Sequence, residues 1–120
     1  MEKVITMKAR SAKYKGKRLQ NILRDKLVEL YPALKDDIGS QIMGMTGEDI
    51  VLTPHARTFI PYSFECKNVE KLNVWKSFEQ CKTNAGKLTP VLVIKRNRQT
   101  PKVVMELDEW LDIIKILDKR

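Results

Sequence analysis

Two acidic residues and one lysine stand inside otherwise apolar segments of this chain. Asp49 precedes the apolar run Ile50–Leu52, and Glu65 and Lys67 lie in the apolar run that begins at Phe59. Because side chains i and i+2 of a β-strand point to the same face, Glu65 and Lys67 would emerge side by side. If the two segments pair, Asp49 joins them, and two carboxylates and an ammonium group converge.

This set of groups suits the hydrolysis of phosphodiesters. Two neighbouring carboxylates are typical ligands of Mg²⁺, which keeps some of its waters for chemistry. Lys67 can orient a water or stabilise a developing negative charge. There are two alternatives. In the first, Asp49 is simply an acidic residue in a turn. In the second, Glu65 and Lys67 form an exposed ion pair on an edge strand. The buried opposite face expected for Phe64 and Cys66 argues against the second alternative.

The pattern Asp49…Glu65-Cys66-Lys67 resembles that of the PD-(D/E)XK nuclease superfamily, and more closely that of its Holliday-junction-resolvase-like members. Other matching features are a basic helix before Asp49, the glycine-containing segment 44–47, and Gln80 on the helix that follows. The resemblance covers roughly residues 15–107. One departure is the absence of a proline before Asp49.

The resemblance implies an α/β fold with a restriction-endonuclease-like αβββαβ core, in which a central mixed sheet is flanked by helices. It implies a metal-dependent endodeoxyribonuclease that selects branched DNA such as Holliday junctions, encoded by a phage or mobile element and active in the cytoplasm of a bacterial host. A homodimer is expected, because a junction has two strands to cut symmetrically. A non-catalytic nucleic-acid-binding module and a general or end-processing nuclease remain as alternatives.

The resemblance also assigns roles to individual residues. The implied ligands of Mg²⁺, or of Mn²⁺ in its place, are Asp49, Glu65 and the backbone carbonyl of Cys66. Lys67 would stabilise charge in the transition state, and Gln80 would touch the metal shell or the scissile phosphate. Gln20 stands where resolvase-like relatives carry a glutamate ligand, and its amide offers an oxygen without a charge. Glu48 is expected to be a solvated neighbour of the site.

Composition favours a nucleic-acid partner. The 120 residues include 23 Lys and Arg against 15 Asp and Glu, which gives a net charge of +8. Such a balance favours a polyanion, nucleic acid first and an anionic membrane second. Residues 1–15 are predicted to form a basic flexible arm, either a solvated tail or a phosphate-binding segment, and residues 16–120 a single domain. The residues expected to contact DNA phosphates are Lys13, Lys15, Lys17, Arg18, Arg96 and Arg98.

Other classes of protein fit less well. No apolar segment approaches the roughly 20 residues of a membrane-spanning helix, so a cytosolic protein without a membrane partner is expected. Cys66 and Cys81 match neither a metal-binding spacing nor a secreted disulfide framework, and both are expected to be buried thiols. Trp75 and Trp110 lie at helical spacing on apolar faces and are expected in the core, with a protein or membrane interface as the alternative.

The apolar periodicity predicts the elements that position these residues. They are a helix from about Gly16 to Tyr31 ended by Pro32, an irregular connection over residues 33–47, a hairpin of strands 50–52 and 59–67 around a turn at 53–58, a helix over 73–85, a central strand over 90–94, a strand over 103–105, and a last helix capped by Asp108.

Overall fold

The structure, a computed structural model, describes residues 2–41 and 48–119. Within these residues it is a mixed α/β arrangement of two small sheets with helices, which confirms the predicted α/β class. Its elements are helix α1 (Glu2–Leu30), a 3-10 helix (Pro32–Asp37), strands β1 (Ile38–Ser40) and β2 (Ile50–Leu52), helix α2 (Pro54–Arg57), strand β3 (Tyr62–Asn68), helix α3 (Val74–Ala85), strands β4 (Thr89–Lys95) and β5 (Lys102–Val104), and helix α4 (Leu107–Asp118).

Helix α1 begins at Glu2, whereas the sequence predicted a start near Gly16. The segment before Gly16 contains no proline and is rich in residues of high helix propensity. One interior glycine costs only about 1 kcal/mol relative to alanine, so Gly16 does not end the helix. Leu19 and Leu27 are buried in the core, and Pro32 follows the end of the helix as predicted. Whether residues 1–15 form a separate flexible unit stays a prediction.

Strand β2 pairs with β1 and not with β3, so the predicted hairpin is wrong. The two strands are antiparallel, with Ile38 opposite Leu52, and β1 lies in a segment that was expected to be irregular. A short helix, α2, replaces the predicted turn, with the Thr53 side chain accepting a hydrogen bond at its start. Helix α2 carries the chain away from β2, and β3 pairs with β4 instead. Residues 33–37 of the expected irregular connection belong to the 3-10 helix, and its residues 42–47 lie outside the described residues.

Strand β4 lies at the centre of the larger sheet, as its apolar run predicted. It is parallel to β3 and antiparallel to β5, and α3 forms the crossover between the two parallel strands. On one face of the sheet, Val91 and Val93 belong to the same buried cluster as residues of α1. On the other face, Leu92 packs with Phe78 and Cys81 of α3. The strand is therefore covered on both faces.

Helix α4 and Trp75 are more exposed than the sequence predicted. No residue of α4 is buried, and Trp110 is 50% exposed. Trp75 is 86% exposed, because α3 turns Phe78 and Cys81 toward the sheet instead. Helix α4 begins directly after Glu106, so Asp108 lies in its first turn and not at the predicted capping position.

Candidate active site

An open cavity of about 600 Å³ lies between β3 and α3. We call it the carboxylate cavity and define it by its lining residues, which are Gln20, Asp49, Glu65, Cys66, Lys67, Lys76, Glu79, Gln80, Thr83 and Asn84. The structure therefore brings together the five residues predicted to carry catalysis and metal binding, with Gln20 beside them.

The alternation of side chains along β3 explains why two of these residues share a face. Phe64 and Cys66 join the buried cluster on the α1 side of the sheet. Glu65 and Lys67 alternate with them and therefore point toward α3. The Glu65 side chain is only 11% exposed, whereas the Lys67 side chain is 33% exposed. The strand thus presents a buried carboxylate next to an ammonium group that solvent can reach.

Two hydrogen bonds hold Asp49 against β3. Its backbone N–H donates to the carbonyl of Phe64 at 3.0 Å, and its Oδ2 accepts from the backbone N–H of Cys66 at 2.6 Å. The second oxygen, Oδ1, makes no hydrogen bond with the described residues. In a strand the N–H and C=O of one residue point to the same side, so the carbonyl of Cys66 also faces Asp49. Two oxygens that can bind a metal therefore lie at this edge of β3.

The Glu65 carboxylate is held from α3 and from its own strand. Asn84 Nδ2 donates a hydrogen bond to Oε2 at 3.2 Å, and Lys67 Nζ lies 3.8 Å from Oε1. Sequence reasoning missed Asn84. Its position four residues after Gln80, on the same face of a helix, was the available signal.

The two carboxylates have raised pKa values. Burial is the main cause for Asp49, opposed by the Cys66 N–H and the charge of Lys67. Burial is also the main cause of the raised pKa of Glu65, followed by the negative charge of Asp49, while the Asn84 hydrogen bond and Lys67 act in the opposite direction. Ionising both acids in this cavity is unfavourable, so a cation bound between them would be stabilising.

The two thiols do not add ligands to the cavity. Burial raises the pKa of the Cys66 thiol well above its usual range, and burial raises the pKa of Cys81 to about 11. The Cys66 side chain packs in the buried cluster on the α1 side of the sheet, and Cys81 does not line the carboxylate cavity. The role of the Cys66 backbone carbonyl in metal binding stays a prediction.

Gln20 supplies an oxygen without a partner. The residue is 8% exposed, and its buried Oε1 accepts no hydrogen bond from the residues that the structure describes. An unsatisfied buried polar atom costs about 1–3 kcal/mol. Because Gln20 lines the carboxylate cavity, this oxygen would be satisfied by a bound cation or water.

The donor set fits Mg²⁺ or Mn²⁺. It consists of oxygens alone, from two carboxylates, one side-chain amide and one backbone carbonyl, which are the ligands that these ions prefer. In the described part of the chain no group of three or more His, Cys, Asp or Glu side chains is placed to hold a metal. The two neutral oxygens, together with waters, would have to complete the coordination.

Glu48 is not the solvated neighbour that was expected. Arg57 Nη2 donates to both of its carboxylate oxygens, at 2.7 and 2.6 Å, and Arg57 Nη1 donates to the carbonyl of Tyr62 at 2.8 Å. Both charged side chains are largely covered. This ion pair fastens the chain just before Asp49 to the start of β3, a role for Arg57 that the sequence did not reveal.

The predicted phosphate-binding residues differ in their surroundings. Lys17 is already engaged, because its Nζ donates to Ser40 Oγ at 2.8 Å and to the carbonyl of Gln41 at 2.9 Å. The carbonyl of Lys15 accepts a hydrogen bond from Asn68 at the end of β3. The exposed members of the set are Lys13, Arg18, Arg96 and Arg98. Lys76, which the sequence did not single out, lines the carboxylate cavity itself.

Comparisons with known proteins add no relative: the chain matches no family model, no curated protein and no solved structure. Among the described helices, none combines the length and the apolar character needed to cross a membrane.

The raised pKa of Glu65 predicts a pH-dependent stability. Below pH 4.5, its usual pKa, Glu65 is neutral in both the folded and the unfolded chain. Between pH 4.5 and the raised pKa of the folded state, the folded chain holds this proton more tightly than the unfolded chain does. The free energy of unfolding therefore falls as pH rises through this range. We therefore expect Glu65→Gln to have a higher Tm than the wild type at pH 8 in chelator, and a similar Tm at pH 4. Thermal unfolding followed by circular dichroism measures this difference.

The matched control is Glu79→Gln, because Glu79 lines the same cavity with a side chain that is 75% exposed. Its Tm should follow that of the wild type across the whole range. A difference between Glu65→Gln and the wild type that does not change with pH would contradict the burial of an ionisable Glu65.

Proposed function

We propose that this chain is a Mg²⁺-dependent endodeoxyribonuclease of the PD-(D/E)XK type. The observation that carries the proposal is the meeting of Asp49, Glu65 and Lys67 in one cavity, with both carboxylates partly buried and Lys67 open to solvent. Surface acids without a ligand are normally solvated, whereas these two have raised pKa values. A cation between the acids and a phosphate beside Lys67 would balance the charges of the site.

The order of the elements supports the same assignment. Helix α1, strands β1, β2 and β3, helix α3 and strand β4 follow the order αβββαβ, with the short α2 inserted before β3. The three strands β3, β4 and β5 form a mixed sheet between α1 and α3. Strands β1 and β2 pair separately, and the Asp49 backbone N–H links them to Phe64 of β3.

The cation would be held by Asp49, Glu65, the carbonyl of Cys66 and Gln20 Oε1. A divalent ion bound there offsets negative charge on phosphate oxygens and makes water a better nucleophile. Asn84 keeps the Glu65 carboxylate in position through its hydrogen bond to Oε2. The ordering of both carboxylates before substrate arrives reduces the reorganisation that the reaction requires.

Lys67 and Gln80 would act on the phosphodiester itself. The Lys67 ammonium lies 3.8 Å from Glu65 Oε1 and can shift to a nonbridging or leaving oxygen of the phosphate as negative charge develops. The exposed amide of Gln80, one turn before Asn84 on α3, can donate a hydrogen bond to the same phosphate or to the attacking water. The leaving oxygen takes its proton from water that enters through the open side of the cavity.

Branched DNA is the substrate that we propose. The net charge of +8 and the exposed Lys13, Arg18, Arg96 and Arg98 suit binding to phosphates, which positions DNA without reading its sequence. The described elements contain no separate module for reading bases. A homodimer in a host cytoplasm is part of this proposal. The exposed apolar side chains of α4, which include Leu107, Trp110, Leu111 and Ile116, support a second copy as their cover.

Removal of either carboxylate should abolish cleavage. Glu65→Ala and Asp49→Ala each delete a proposed ligand, and we expect the rate with Mg²⁺ to fall by about a hundredfold or more, since metal assistance is worth several kcal/mol. Cleavage of a labelled four-way junction, with and without Mg²⁺, measures this loss. Glu79→Ala removes an acid from the wall of the same cavity and should cut at the wild-type rate. Near wild-type cleavage by Glu65→Ala would show that the site is misassigned.

Selectivity should depend on the shape of the DNA. We expect a four-way junction to be cut about tenfold or more faster than duplex of the same sequence, a factor that corresponds to about 1.4 kcal/mol of activation free energy. The nicks should be paired on opposite strands, and light scattering should give the mass of a dimer. Equal rates on junction and linear duplex, or a monomer at working concentration, would favour a general or end-processing nuclease.

A further inference from the structure

A second cavity, of about 240 Å³, lies at the carboxyl ends of β3 and β4, next to the start of α3. Its apolar wall is formed by Val69, Leu72, Val74 and Ile94. The volume is below that of a drug-sized binding pocket, so a small flat ligand such as one nucleobase fits it and a base pair does not. Ligands of sheets with parallel strands commonly bind at these carboxyl ends.

The rim of this second cavity is basic. Lys95, Arg96 and Lys102 line it and form no ion pair with the described residues. The ammonium groups of Lys95 and Lys102 donate hydrogen bonds to backbone carbonyls of the loop after β4. One carboxylate, Glu70, is also present, and its Oε2 accepts the backbone N–H of Asn97 at 2.8 Å. Three cations against one engaged carboxylate favour an anionic group such as a phosphate.

Trp75, at the start of α3, carries an exposed indole. Trp75 lies on the first turn of α3, between Val74, which lines the second cavity, and Lys76, which lines the carboxylate cavity. The side chain is 86% exposed, although tryptophan has a large apolar surface that is usually covered. Exposed aromatic side chains next to basic residues are the means by which many proteins bind single-stranded nucleic acid, because every base can stack on them.

The second cavity lies close to the proposed catalytic groups. Lys67 is opposite Ile94 in the parallel register, and Val69 follows Lys67 by two residues, which corresponds to about 7 Å along a strand. A DNA strand whose phosphate occupies the carboxylate cavity can therefore place a neighbouring nucleotide in the second cavity.

We propose that the second cavity and Trp75 form a subsite for one unpaired nucleotide of the DNA strand. The base lies against the apolar wall and the indole of Trp75, and its phosphate lies on Lys95, Arg96 and Lys102. This inference rests on the proposed nuclease function, because it names the part of the substrate next to the cleaved bond. It gives a physical reason for a preference for branched DNA, since a base at a branch leaves its stack more easily than a base in duplex.

The test uses the intrinsic fluorescence of Trp75. The chain has two tryptophans, so the half-exposed Trp110 is changed to Phe to leave Trp75 as the reporter. In chelator, which prevents cleavage, this variant is titrated with a thymidine decanucleotide, with thymidine monophosphate, with an abasic oligomer of equal charge, and with blunt duplex. We expect the decanucleotide to quench Trp75 and to bind more tightly than the monophosphate. The abasic oligomer and the duplex should leave the emission unchanged.

Variants separate stacking from charge. Trp75→Ala should weaken decanucleotide binding, measured by anisotropy of a labelled strand, by about tenfold, and Trp75→Phe should restore most of it. Arg96→Ala should weaken binding and flatten its dependence on salt. Equal quenching by the abasic oligomer, monophosphate binding as tight as that of the decanucleotide, or unchanged affinity of Trp75→Ala would overturn the subsite.

The quenching titration tests the subsite, and the cleavage assay tests the nuclease assignment separately. The quenching titration is repeated with Glu65→Ala in the Trp110→Phe background, which is expected to bind the decanucleotide and quench as before. If the wild type cuts DNA but Trp75 is not quenched, the subsite alone is wrong. If Trp75 is quenched by the unpaired strand but no DNA is cut with Mg²⁺, the subsite stands and the nuclease assignment is wrong.

Discussion

The hydrogen bond from the Cys66 backbone N–H to Asp49 Oδ2, at 2.6 Å, is the interaction on which the candidate site depends. Strands β2 and β3 do not form a ladder, so this bond and the Asp49 N–H contact with Phe64 take the place of strand pairing. They fix one carboxylate at the edge of β3, beside the face that carries Glu65. The ion pair of Glu48 and Arg57 supports the arrangement by fastening the preceding residue.

The positions of the two carboxylates determine their pKa values. Burial and the charge of Asp49 raise the pKa of Glu65, and the Asn84 hydrogen bond and Lys67 oppose this rise only in part. Burial raises the pKa of Asp49, and the Cys66 N–H and Lys67 oppose it only in part. Gln20 adds a buried oxygen that has no partner within residues 2–41 and 48–119. In the proposed function a cation completes this site, because the charges that raise these pKa values would stabilise a bound cation.

The sequence predicted most of the residues that line the carboxylate cavity because their signals are local. Glu65 and Lys67 share a face through the two-residue period of a strand, and β4 was found from its apolar run. The partner of β2 was not predicted, because strand pairing depends on contacts distant in sequence, and α2 changed the path of the chain. The exposure of Trp75 was missed for a similar reason, since apolar spacing on a helix does not tell which residues the neighbouring sheet will cover.

Binding of Mn²⁺ in the absence of DNA tests the central claim most directly, because it requires no assumption about the substrate. Electron paramagnetic resonance of free Mn²⁺ during a titration gives the number of ions bound and their affinity. We predict saturable binding to the wild type, displacement by Mg²⁺, and an affinity lower by about tenfold or more in Glu65→Gln but unchanged in Glu79→Gln. Equal affinity in all three proteins would contradict a metal site built on Asp49 and Glu65.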